Sequence, residues 1–165
     1  MRQPLLHEEN IVVGLQAKNS EDALRKLVAV LPAWRVDQAT KNNIWKTLVL
    51  RERLGTTAIG RGIALPHCTS SVIDKPLVLF GVSSEGIPYS SLDGYPVHFI
   101  FLLILPQMES SERIKREILK NIKWLLCDRF LQGRLKAAHS GQKVATLLSL
   151  KKDPNWLFKY DAVSV

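Results

Sequence analysis

Residues 97–106 read VHFIFLLILP, and from Phe99 to Leu105 every side chain is apolar. Pro96 and Pro106 bound the run. It is far shorter than the ~20 residues that cross a bilayer. Read as a strand, it carries apolar groups on both faces, because successive side chains point to opposite sides. Such a strand has no wet face and belongs inside a sheet covered by helices above and below.

The flanking sequence supplies both partners and covers. LVLFGV at 77–82 reads as a second strand, and SSEGIPYSSLDGYP at 83–96 has the composition of a loop. After Pro106, Ser110 or Ser111 caps a helix starting at Glu112, with Ile114, Ile118, Ile122 and Leu125 along one side. Gly133 breaks that pattern and leaves a short helix over 134–139. Ser140 caps a last helix whose Val144, Leu147 and Leu148 face inward. Upstream, NIVVGLQ at 10–16 reads as a strand. Asn19 and Ser20 then open a helix with Leu24, Leu27, Val28 and Leu31 as its stripe, stopped by Pro32. A further helix covers about 37–51 and ends near Gly55. The expectation is one α/β domain over residues 5–150, a mixed central sheet with helices on both faces. Residues 151–165 form a tail in which Trp156, Phe158 and Tyr160 alternate, either docked as an extended segment or loose.

Composition narrows the function classes. The chain has 165 residues, 23 Lys plus Arg and 15 Asp plus Glu, a net charge of +8. That field calls for an anionic partner: a phosphate group, an acidic protein, a nucleic acid or a membrane surface. The basic residues are scattered, with some density at 51–61 and 113–123, and the aromatics sit in apolar stretches. This is not the clustered stripe of a nucleic-acid binder. No run inserts into a membrane. The only cysteines, Cys68 and Cys127, and an opening MRQPLLHEEN without an apolar core fit a reduced, cytoplasmic protein. His67 and Cys68 are adjacent and lack the paired spacing of a metal site. No phosphate-binding loop ends in Gly-Lys-Ser/Thr, and Gly60 and Gly62 lack the third glycine of a dinucleotide fingerprint. GVSSEG at 81–86 misses the serine-hydrolase elbow by one position.

The chemistry concentrates in residues 51–68, RERLGTTAIGRGIALPHC. This is a helix end, a glycine-punctuated turn and an extended piece that delivers His67 behind Pro66. Gly55, Gly60 and Gly62 permit backbone shapes that a side chain blocks. Read from the residues alone, His67 is a nucleophile, a general base, a metal ligand or a plain loop histidine.

The segment resembles the signature of the enzyme IIA domains of the bacterial sugar phosphotransferase system, the fructose, mannitol and nitrogen-regulatory class. Glu52 stands at the acidic position. Ile59 and Gly60 follow, then Ile63, Ala64, Leu65, Pro66, His67 and Cys68, so every specified position is filled. NIVVGLQAKNSEDALRKLV at 10–28 resembles the opening strand and helix of that class. Residues 86–106 resemble its later Asp-Gly-x-Pro-Val turn and apolar strand. The resemblance implies that His67 takes a phosphoryl group from the phosphohistidine of a small carrier, HPr or its nitrogen-branch relative. It implies a covalent phosphohistidine with no cofactor and no metal, and a regulatory role of the nitrogen type rather than a known sugar. Arg51 matches the arginine near the active histidine. A second family histidine, counted from Pro106, falls on Arg113, which cannot act as a base but can grip phosphate. His98, His7 and His139 do not replace it. Two expectations follow: a phosphocarrier stabilised by Arg113, or a regulatory, anion-sensing module that no longer transfers phosphate. Arg61 is either a further phosphate contact or a surface charge. Thr56 either binds phosphate or belongs to a strand edge. Cys68 either fills space or takes a redox role, and Thr69, Ser70 and Ser71 are turn residues.

Overall fold

The structure, a computed structural model, describes residues 6–150. After a short 3-10 turn at Glu8–Asn10 come β1 (Ile11–Val12), α1 (Ser20–Ala29), α2 (Gln38–Leu54), β2 (Ala58–Gly60), β3 (Ile63–Ala64) and β4 (His67–Ser70). Then follow β5 (Leu77–Ile87), β6 (Val97–Pro106), α3 (Ser111–Leu126), α4 (Arg129–Lys136) and α5 (Gly141–Ser149). The strands form one sheet in the order β1-β5-β6-β3-β2, with β4 also paired to β6. It is mixed: β6 runs antiparallel to β5 and parallel to β3 and β4, and β1 runs parallel to β5.

The apolar run sits where its composition requires. Phe99, Phe101, Leu103 and Leu105 pack with Val78, Phe80 and Val82 under α3, α4 and α5. Ile100, Leu102 and Ile104 face the opposite way, against α1 and α2. Phe80 stacks on Phe101 with ring centroids 4.0 Å apart. Each fully buried side chain of this size contributes about 1.5–3 kcal/mol, so β6 anchors two cores at once. The helices start at capping side chains: Asn19 accepts from the Asp22 N–H (2.9 Å), Asp37 from Thr40 (2.7 Å), and Ser140 from Lys143 (3.1 Å). Ser111 is the first residue of α3, and its hydroxyl donates to the Pro106 carbonyl (2.5 Å).

β3 and β4 lie on one line along β6. Ile63 is opposite Phe99 and His67 is opposite Leu103, in the same register. Pro66 interrupts the line without shifting it, and its carbonyl accepts from the Leu103 N–H (2.9 Å).

Four expectations need correction. Residues 83–87 are strand, not loop: β5 runs on until Ile87 pairs with Val97 across a register shift. The loop-like composition reflects exposure of Ser84 and Glu85 and the bulge at Gly86. Gly86 has φ +87°, and an added Cβ there would lie 2.7 Å from Pro96. Gly133 does not break a helix but lies inside α4, which Asp128 caps by accepting from Leu131 (3.0 Å) and which buried Leu131 and Leu135 hold down. Thr69 and Ser70 belong to β4, opposite Leu105 and Pro106, rather than to a turn. The strand expected over 10–16 is only Ile11–Val12, although the Leu15 N–H still reaches the Val82 carbonyl (2.8 Å). The readings of the tail (Trp156, Phe158, Tyr160) and of the Leu125 side chain fall outside the described residues.

Candidate functional site

His67 opens β4. Strand alternation puts it on the same face as Ile63 and Leu65, the face covered by α3. Its ring is half-buried, and Nδ1 lies 2.9 Å from the Leu65 carbonyl oxygen. A carbonyl only accepts, so Nδ1 carries the proton and Nε2 keeps its lone pair. Burial is the main cause holding the imidazole below its usual titration range. The Lys115 and Arg51 charges push the same way, while the Leu65 carbonyl and Glu112 oppose them. The outcome is a neutral ring with a free, nucleophilic nitrogen.

Arg51 lies in the last turn of α2, where its Nη1 donates to the Gly55 carbonyl (2.8 Å). It is exposed, and its charge reaches the His67 ring. The other cation acting on that ring is Lys115 of α3, paired to Glu112 at 2.7 Å. Sequence reasoning missed Lys115. The available signal was its spacing, three residues after Glu112 and next to the apolar stripe of Ile114 and Ile118.

Arg113 is on the expected helix but at a different angle. At 3.6 residues per turn it stands about 160° round α3 from Lys115. It is exposed. The α3 charges that weigh on the His67 ring are those of Lys115 and Glu112. Arg61 is further away. In the turn between β2 and β3 it has φ +56°, its N–H donates to Asp93 (2.8 Å), and its Nη1 reaches the Cys127 sulfur (3.5 Å). Cys127 follows the end of α3, and 16 residues of helix, about 24 Å, separate that end from the one near His67. Arg61 is thus a charge of a different region. Thr56 is part of the scaffold: its hydroxyl donates to the Tyr89 carbonyl (3.5 Å) and accepts from the Ala58 N–H (3.1 Å).

Cys68 points to the opposite face, and burial pushes its thiol up to about 12, so it stays protonated. His98 is held by the Ser83 carbonyl (2.8 Å) beside Gly62, near the start of β6, whereas His67 lies opposite Leu103 towards its end. His7 precedes β1 at the far edge of the sheet, and His139 precedes the cap of α5. Among the described residues no three His, Cys, Asp or Glu side chains converge as a metal site, and no helix is long and apolar enough to cross a membrane.

Comparison with known proteins agrees with this geometry. The family model described as "Phosphoenolpyruvate-dependent sugar phosphotransferase system, EIIA 2" matches residues 4–151. A nitrogen regulatory protein of Bradyrhizobium diazoefficiens is 32% identical over 146 residues, covering 88% of this chain and 93% of that protein. A fructose-specific EIIABC component of Bacillus subtilis is 30% identical over 149 residues, covering 88% of this chain and 22% of that much longer protein. The crystal structure of the nitrogen regulatory protein IIA-Ntr from Neisseria meningitidis has the same fold, with a TM-score of 0.76 at 22% identity, over 87% of this chain and 96% of that one. The mixed sheet, the His67 segment and the match along nearly the whole chain lead to one assignment: this chain belongs to the EIIA type 2 family of the phosphoenolpyruvate-dependent sugar phosphotransferase system.

Proposed function

We propose that His67 is a phosphoryl acceptor, charged by the phosphohistidine of an HPr-like carrier protein. The observation that carries this is the Nδ1–H bond to Leu65, which leaves Nε2 as the free nitrogen of a half-buried ring on which two cations act. In the transfer, the Nε2 lone pair attacks phosphorus as the donor's N–P bond breaks. The donor nitrogen recovers its electron pair, and Nδ1 keeps its proton throughout. The transferring group gathers negative charge on its equatorial oxygens. Arg51 offers a planar donor fork for it, once its hold on the Gly55 carbonyl is released, and Lys115 adds a point charge. No cofactor enters this scheme. Arg113 and Arg61 act at longer range, as part of the positive field that draws an acidic carrier.

The extent of the match to the nitrogen regulatory relative, 93% of its length, favours a regulatory role over service to one sugar. The other reading is a module that senses anions without transferring phosphate. It is favoured by the Lys115–Glu112 pair, which partly neutralises the α3 cation. Incubation with a phosphorylated HPr-type carrier decides between them. The account expects an acid-labile adduct on the wild type and none on His67→Ala. An unlabelled wild type, or an adduct that survives His67→Ala, overturns it.

A further inference from the structure

The Leu65 carbonyl is available to His67 only because a neighbouring backbone group is held elsewhere. Ala58 is opposite Ala64 in the β2–β3 ladder, so Thr57 is opposite Leu65. In an uninterrupted antiparallel ladder a pair of this kind exchanges both backbone hydrogen bonds. Here one is made: the Leu65 N–H donates to the Thr57 carbonyl (3.1 Å). The reciprocal donor, the Thr57 N–H, turns to Oε1 of Glu52 (2.8 Å), and the Thr57 hydroxyl donates to Oε2 (2.5 Å). Leu65 is left with an open carbonyl, and the His67 Nδ1–H occupies it at 2.9 Å.

We propose that Glu52 is a positioning residue for the phosphoryl acceptor: by capturing the Thr57 N–H it keeps the Leu65 carbonyl for the imidazole, and so fixes the ring orientation and the tautomer that frees Nε2. This rests on the reading of His67 as acceptor. Glu52 sits in the last turn of α2, the negative end of the helix dipole, where a carboxylate is electrostatically disfavoured. Both of its oxygens are nonetheless engaged by a single residue, and Thr57 is buried at 7% exposure. With the carboxylate removed, the Thr57 N–H has one good acceptor nearby, the Leu65 oxygen. The ring then competes for that oxygen, and the Nε2–H tautomer, which cannot attack phosphorus, gains population.

The test reads the imidazole directly, on the full chain, by 15N NMR of ring-labelled protein across pH without any phosphate donor. Wild type is expected to hold the Nδ1–H form. Glu52→Ala should move the ring nitrogens towards a mixture, and Glu52→Gln, which keeps an oxygen for the Thr57 N–H, should restore them. The rate of phosphoryl uptake at saturating phosphorylated carrier should fall in Glu52→Ala with the share of the competent tautomer, about fivefold, with KM little changed. Glu52→Asp, which retracts the carboxylate at constant charge, reads the same displacement if the alanine variant does not fold. Unchanged ring shifts in a folded Glu52→Ala or Glu52→Asp overturn the proposal. The expected ring shifts in these variants, with no phosphoryl uptake by wild type, instead overturn the acceptor reading alone, because the tautomer is read without a donor.

Discussion

The Nδ1–H of His67 is bonded to the carbonyl of Leu65, two positions earlier in the same strand, at 2.9 Å. Pro66 makes this contact geometrically easy. It fixes the backbone between the two residues. The bond determines which ring nitrogen is nucleophilic, and burial with two nearby cations keeps the ring neutral. The next consequences follow from those facts.

The pH dependence has a definite sign. The folded-state titration of His67 is depressed below 6.5, mainly by burial. Phosphoryl uptake should therefore stay at its plateau as pH falls through 6.5 and decline only below it. Stability follows the same linkage: the contribution is fully present above the unfolded value and is lost as pH falls from there through the folded value. A His67→Gln variant should show a flatter dependence of urea midpoint on pH below 6.5 than wild type. A wild-type uptake rate that already halves at or above pH 6.5 contradicts this.

Arg51 is exposed, and among the described residues its bond is to the Gly55 carbonyl of its own helix end. Replacing it should cost catalysis far more than stability. Arg51→Ala is expected to lower the uptake rate by about 10²–10³-fold while the thermal midpoint moves little. Arg51→Lys should recover only part of the rate, since a point charge lacks the planar fork. Stopped-flow or quenched transfer from phosphorylated carrier measures this, and a rate loss that tracks a loss of fold speaks against it.

Lys115 and Arg113 separate a local contact from a distant charge. Lys115→Ala should slow uptake by about tenfold or more and raise the titration point of His67, because a positive neighbour is gone. Arg113→Ala and Arg113→His should leave the rate at saturating carrier within about twofold and change mainly the salt dependence of association. The reverse pattern would mean that the face of α3 towards His67 is assigned wrongly.

Gly133 lies within α4, and an added Cβ there meets nothing within 4 Å. Gly133→Ala should stabilise the protein by about 0.5–1 kcal/mol in urea unfolding. Destabilisation would mean that α4 needs a glycine at this point.

Much of this architecture can be read from local pattern. β6 is legible because it is apolar at every position facing either core. Helix starts are legible because Asn19, Asp37 and Ser140 are caps in sequence and in space. His67 and Arg51 are legible through the motif around them. What escapes is what depends on partners distant in sequence. Residues 83–87 look like a loop until Val97 is seen across from Ile87. Gly133 looks like a breaker until Leu131 and Leu135 are seen buried. Counting from Pro106 reaches α3 and Arg113, but not Lys115, whose charge acts on the ring. Arg61 is close to His67 along the chain yet close to Cys127 in space, because the extended chain carries the two apart.

The most direct test of the account is NMR of 15N-imidazole-labelled protein, with 31P detection, after incubation with a phosphorylated HPr-type carrier. The account predicts a single acid-labile phosphoramidate on Nε2 of His67, with Nδ1 still protonated, and no such signal in His67→Ala. An adduct on Nδ1, an adduct elsewhere in the chain, or no adduct on wild type would contradict it.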